Sequence, residues 1–218
     1  MYYKAKVNNL TPSSTDAPIF AIYRDEKWPS GWMQVEYTED HDLAGKLTKV
    51  VYNTQTQYPK VELWFLRDNG DTVIFKSSLG KTTRSILYKL SQPEKIDNVV
   101  LKANWFETTE WEKKTVRYVS VYVDWQKCNI PFEKDDPRVQ PTKVEQNGKF
   151  YGYDWDKVNE FVINDLIPQI HGKLLNKRSD EPAHVERKNE NPEEILPFYF
   201  LTNQYHVNVK MSSNQVCI

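Results

Sequence analysis

At 218 residues, with 39% hydrophobic and 13% aromatic content, the chain is long enough and apolar enough for one sizeable β domain with appendages, which excludes a disordered polymer. A net charge of −1 excludes a uniformly basic chain, and no apolar run approaches the roughly 20 residues of a membrane span. The start, MYYKAKVNNL, lacks a signal-peptide apolar region, and Cys128 and Cys217 lack metal-type spacing, so a reducing cytoplasm is predicted, that of the host if the protein is viral.

In chain order, residues 1–42 contain IFAIYRDEKW (19–28), the turn PSGW (29–32) and MQVEYTE (33–39), which read as an extra hairpin packed on the following domain. GKLTKVVYNTQTQ (45–57) predicts a long strand and YPKVELWFLRD (58–68) a second. DNGD (68–71) is a hairpin turn with Asn69-Gly70 at its tip, and TVIFKSS (72–78) returns antiparallel. Ile86, Leu87 and Leu90 give a helix over Thr82–Leu90. NVVLKANWFE (98–107) and VRYVSVYVDWQ (116–126) are two more strands, joined by TTEWEKKT (108–115). Cys128 to Gln146, with Pro131, Pro137 and Pro141, reads as an extended connection. A helix follows within 153–175, with Asp154 as N-cap and Pro168 ending or kinking its first part.

Three strands, a helix and two strands is the order of the OB-fold, a five-stranded barrel that commonly binds single-stranded nucleic acid or oligosaccharide. The expected fold is therefore mainly β. It comprises N-terminal strands (1–42), an OB-fold core (43–126), a connection and helix (127–178), and a polar tether with a C-terminal extension (179–218). The core holds 13 basic and nine acidic residues, whereas 179–198 holds two basic and six acidic ones, so the near-neutral total hides a mildly basic barrel and an acidic appendage.

Strand alternation sorts the side chains. Val61, Leu63 and Phe65 share one face and Glu62, Trp64 and Leu66 the other; Val119, Val121, Val123 and Trp125 oppose Tyr118, Ser120 and Tyr122. Exposed aromatic rings stack on unpaired bases at roughly 1–3 kcal/mol each, and lysines beside them track phosphates. The candidate nucleic-acid contacts are Tyr52, Trp64, Lys76, Trp105, Tyr118 and Tyr122 on strands, Tyr58 and Lys60 in the first loop, and Trp111, Lys113 and Lys114 in the loop before the last strand. The competing reading of each strand aromatic is a core position. Trp111, set among Glu110, Glu112, Lys113 and Lys114, has no apolar pattern to join.

LGKTT (79–83) lies between strand and helix but is no P-loop, because the first glycine of that motif would fall at Phe75. His41, His171, His184 and His206 are scattered, so neither a metal site nor a cofactor is predicted. With no nucleophile constellation either, the expectation is a binding protein without catalytic residues.

After a segment (176–194) too polar to bury itself, PEEILPF (192–198) joins two acids to Ile195, Leu196, Pro197 and Phe198. With the barrel order, this motif resembles the bacteriophage and bacterial single-stranded DNA-binding proteins, most closely the phage type. Their acidic tail ends in an acidic, aliphatic Pro-Phe tip. The resemblance implies non-sequence-specific coating of single-stranded DNA in phage genome replication or recombination. It also implies that Glu193, Glu194, Ile195, Leu196, Pro197 and Phe198 dock replication or recombination proteins. In that family the Phe is normally terminal, whereas here residues 199–218 follow, and a further strand burying Ile195 and Phe198 is the alternative. The alternative function is a structural or interaction module of a virion that binds no DNA.

Overall fold

The computed structural model describes residues 1–10, 16–28, 31–109 and 114–175, with the side chains of 25–28 and 31–37 left aside. The molecule is mainly β. Among the described residues nine strands form one curled sheet: β1 (Tyr2–Asn8), β2 (Ile19–Trp28), β3 (Gly31–Asp40), β4 (Asp42–Asn53), β5 (Lys60–Leu66), β6 (Thr72–Ser77), β7 (Asn98–Glu107), β8 (Thr115–Val123) and β9 (Gln126–Cys128). Their order across the sheet is β3-β2-β1-β6-β5-β4-β7-β8-β9. The five strands predicted between 45 and 126 therefore lie side by side as β6-β5-β4-β7-β8. Among the described residues β6 and β8 are not paired; the second edge of β6 is taken by β1, which runs parallel to it from Tyr2 opposite Thr72 to Ala5 opposite Phe75.

The long strand β4 turns the corner of the sheet. Its first half, Asp42–Lys46, pairs with β7, and Lys46–Asn53 pairs with β5. Gly45 sits where the partners change. Its φ is +157°, and a Cβ there would stand 2.7 Å from the Leu66 carbonyl oxygen, so only glycine lets the two backbones approach. A bulge between Leu47 and Lys49 re-phases the strand, and the extra residue, Thr48, donates its hydroxyl to the Trp64 carbonyl at 3.2 Å.

One face of the sheet is covered. Leu43, Leu63, Phe65, Phe75, Val99, Leu101 and Val121 are buried in a cluster with Ile86, Leu87 and Leu90 of α1 (Lys81–Ser91) and with the C-terminal helical region. That region is α2 (Asp156–Phe161), a π turn (Val162–Leu166) and α3 (Ile167–Leu175). Arg84 ties the helices together: its guanidinium donates to the Leu79 carbonyl and to Asn159 Oδ1, both at 3.1 Å, and lies 3.9 Å from the Trp155 ring centre. At the other end of α1, the Lys173 ammonium donates to the carbonyls of Ser91 and Pro93 at 2.7 Å.

Several expectations change. YYKAKVN, unassigned from sequence, is β1, parallel to β6 and antiparallel to β2. The first regular α segment does stop ahead of Pro168, at Phe161, but the helical region does not: a π turn over Val162–Leu166 precedes the proline and rearranges the ladder that it cannot join, and α3 runs on to Leu175. Asp154 Oδ1 accepts the Asp156 N–H at 2.9 Å, although the residue flanking α2 is Trp155. The stretch 128–146 is not wholly extended connection: β10 (Thr142–Gln146) and β11 (Lys149–Asp154) form a separate hairpin turned by Asn147 and Gly148, both at positive φ. Trp125 is not in the core. With Asp124 it makes the two-residue β8–β9 turn at φ of 48° and 68°, and it is 84% exposed.

Candidate nucleic-acid interface

Alternation and register together define the face of the sheet opposite the core. On β5 it carries Lys60, Glu62, Trp64 and Leu66, and the register aligns Lys76 with Glu62, Ile74 with Trp64, and Lys49 with Trp64. β1 adds Tyr2, Lys4 and Lys6 beyond β6. Across β4, Asp42, Ala44 and Lys46 lead to Lys102, Asn104 and Phe106 of β7, then to Tyr118, Ser120 and Tyr122 of β8. On β1 and β4–β8 this face holds seven lysines (Lys4, Lys6, Lys46, Lys49, Lys60, Lys76, Lys102) and two carboxylates, Asp42 and Glu62. Both carboxylates are ion-paired within it, Asp42 to Lys102 at 3.2 Å and Glu62 to Lys76 at 2.9 Å.

Trp64 is the centre of the part of the face formed by β1, β6, β5 and β4. Its ring is half-buried, with the Lys49 ammonium 5.1 Å from a ring centroid and Tyr2 in edge contact at 6.2 Å. The indole N–H donates to Glu62 Oε2 at 3.1 Å, and Asn53 Nδ2 donates to Glu62 Oε1 at 3.1 Å. Burial pushes the Glu62 carboxyl up, but the Lys76 ammonium, the Asn53 amide and the indole N–H outweigh it and hold the group below the ordinary carboxylate range. Glu62 thus stays charged and fixes the Trp64 ring in place. On β7 and β8 Phe106 meets Tyr118 edge-on at 5.8 Å, and Asn104 Nδ2 donates to Ser120 Oγ at 3.2 Å.

Of the residues predicted from sequence, Lys60, Trp64, Lys76, Tyr118 and Tyr122 come together on this face. Tyr52 does not: the bulge at Thr48 puts it opposite Val61 on the core side, where it packs half-buried against the cluster. Trp105 has core-side parity, opposite Arg117, but lies past the end of the core and is 52% exposed. Tyr58 projects from the β4–β5 loop, 70% exposed. Lys114 lines a cavity at the edge of β8. Trp111, Lys113 and the docking motif Glu193–Phe198 lie outside the described residues. The sequence pattern did not single out Tyr2, Lys4, Lys6, Lys46, Lys49, Lys102 or Phe106. The alternation of Tyr2, Lys4 and Lys6 with Tyr3, Ala5 and Val7 was the available signal for the first three.

A larger concavity, about 1150 Å³, opens on the helical side between the 131–138 segment and the π turn. Arg138 there is bound by Asp136 at 2.6 Å and lies over the rings of Phe132 and Phe161, so its charge is already engaged. Among the described residues no group of three or more His, Cys, Asp or Glu is placed to hold a metal, and no helix is long and apolar enough to cross a membrane. No protein-family model matches the chain, and no curated protein or solved structure matches it at a significant level.

Proposed function

We propose that the chain binds single-stranded DNA without sequence preference on the open face of its sheet, in the service of phage genome replication or recombination, and that it acts by binding rather than by catalysis. The observation that carries this reading is the charge and ring content of that face on β1 and β4–β8: seven lysines and two carboxylates, both carboxylates ion-paired to lysines of the face, interleaved with Trp64, Tyr2, Tyr118 and Tyr122. Phosphates need the cations, and bases of any sequence need a π-surface. The strand order β6-β5-β4-β7-β8, with a helix between β6 and β7, supports an OB-type architecture in which β1 occupies the edge of β6. The same reading sets the protein beside the phage-type single-stranded DNA-binding proteins.

The test is anisotropy of fluorescently labelled oligo-dT across a salt series. The expected result is binding at low salt that weakens as salt rises, with Trp64→Ala losing roughly 1–3 kcal/mol of affinity. An absence of binding at low salt would sink the proposal and favour an interaction module. A Trp64→Ala protein that binds like the parent would move the site off this face.

A further inference from the structure

The hairpin of β10 and β11 is a two-stranded sheet of its own, apart from the nine-stranded one. Every residue of β10 is exposed, and so is every residue of β11 except Gly152. Two strands alone are only marginally stable in water, and further strands are what ordinarily hold such a ribbon. Among the described residues β10 has no strand neighbour on the side away from β11. The register sorts its side chains: Lys143 lies opposite Tyr153 and Glu145 opposite Phe150 on one face, and Val144 lies opposite Gly152 on the other. Phe150 and Tyr153 meet edge-on at 5.1 Å. Neither Lys143 nor Glu145 is ion-paired to another described residue.

The order of β10, Thr142-Lys143-Val144-Glu145-Gln146, is complementary to its own reverse. We propose that β10 is the contact edge between two copies of this chain, paired antiparallel about a two-fold axis at Val144 into a four-stranded sheet. An open strand edge is a template for another chain, and a two-fold axis repeats each contact. Thr142 then faces Gln146 of the second copy, Lys143 faces Glu145, and Val144 faces its own equivalent. Opposite charges directly across an antiparallel pair stabilise it, and like charges destabilise it. The charges also fix the register. A slip of one residue breaks both Lys–Glu pairs, and a slip of two sets Lys143 against Lys143 or Glu145 against Glu145. Parallel pairing in register would oppose like charges as well. The rings of Tyr153 and Phe150 flank the two ion pairs on the same face. Nucleic acid fits this hairpin less well, because residues 142–154 hold two lysines and two carboxylates and offer phosphates no net charge. The inference goes beyond the DNA-binding reading and does not rest on it.

The experiment is sedimentation equilibrium of the full chain from low to high micromolar concentration, without nucleic acid. The expected result is a reversible monomer–dimer equilibrium. Lys143→Glu and Glu145→Lys should each weaken dimerisation about tenfold or more, since each sets like charges across the edge twice. The Lys143→Glu, Glu145→Lys double variant should recover the dimer, because the two charges exchange places across the axis. Both positions are exposed, so the variants should fold, and their melting temperatures check that they do. A monomer at every concentration overturns the proposal. A dimer indifferent to the single variants overturns it by placing the contact elsewhere, and a double variant no better than the singles overturns the pairing about Val144. A monomer whose affinity for oligo-dT falls in Lys143→Glu also overturns it and assigns the hairpin to nucleic acid. The Trp64→Ala result with oligo-dT is read separately, so the two proposals can fail independently.

Discussion

The two faces of strand β5 differ in how they are kept dry. On one, Val61, Leu63 and Phe65 are wholly buried against helices and neighbouring strands, and stability comes from apolar area removed from water. On the other, Glu62 is almost as buried, yet what covers it is a ring of donors: the Lys76 ammonium, the Asn53 amide and the Trp64 indole. A buried carboxylate is tolerated only when so satisfied. The first face is insensitive to the ionisation of its own groups because it has none, whereas the second is a polar surface whose ring and carboxylate are held in place by an ion pair and hydrogen bonds. Burial alone does not separate core from site here; the chemistry of the cover does.

The comparison can be broken most severely from the core side. Phe65→Ala should cost about 3–5 kcal/mol in chemical denaturation, because the packed cluster cannot collapse into the space left. A loss under about 1 kcal/mol would show that the cluster is loosely packed. Gly45→Ala tests the corner that lets both faces exist on one strand. It should cost about 1–3 kcal/mol, since the methyl meets the Leu66 backbone rather than a movable side chain; wild-type stability would mean that β4 and β5 separate easily.

The polar face makes a prediction about pH. The folded Glu62 carboxyl is held below its unfolded value, so its contribution is fully present above the unfolded pKa and is lost as pH falls through the folded one. Melting temperature should therefore drop on acidification below about pH 4, and Glu62→Gln should reduce that dependence. An unchanged acid limb in the variant would remove Glu62 from the account. The smallest effect is expected at the rim of the face. Lys60→Ala, an exposed position, should flatten the slope of log affinity against log salt for oligo-dT by about 0.7, with no change in melting temperature. An unaltered slope would take β5's end out of the phosphate track.

Most of the sheet was legible because its signals are local. The alternation in VELWFL and VRYVSVYV, the Asn69-Gly70 turn and the helical spacing of Ile86, Leu87 and Leu90 each lie within a few residues. What escaped was mostly non-local or disguised. Asp124-Trp125 adopts the left-handed turn conformation without a glycine to announce it. Asn147-Gly148 did announce a hairpin, but prolines upstream suggested an extended connection. Pro168 signalled a break that a π turn absorbs. On the candidate face, parity placed Trp64 and Tyr118 correctly, whereas Tyr52 and Lys49 depend on a bulge at Thr48 that no local pattern reveals. Tyr2 reaches Trp64 only because β1 crosses to β6, a pairing set by the fold as a whole.

That crossing has a consequence in time. The β2–β3 pairing joins strands only two residues apart in sequence, while β1 must find β6 across about seventy residues and in the parallel sense, from Tyr2 to Thr72. Closing so long a loop has an entropic cost that comes before any contact rewards it. The junction between the N-terminal strands and the rest of the sheet should then form late in refolding. Until it does, the edge of β6 stands open as a template for other chains, and Trp64 lacks its Tyr2 neighbour. A refolding experiment at rising protein concentration should show aggregation competing with this step, and, under the proposed function, binding of oligo-dT should appear only as the step completes.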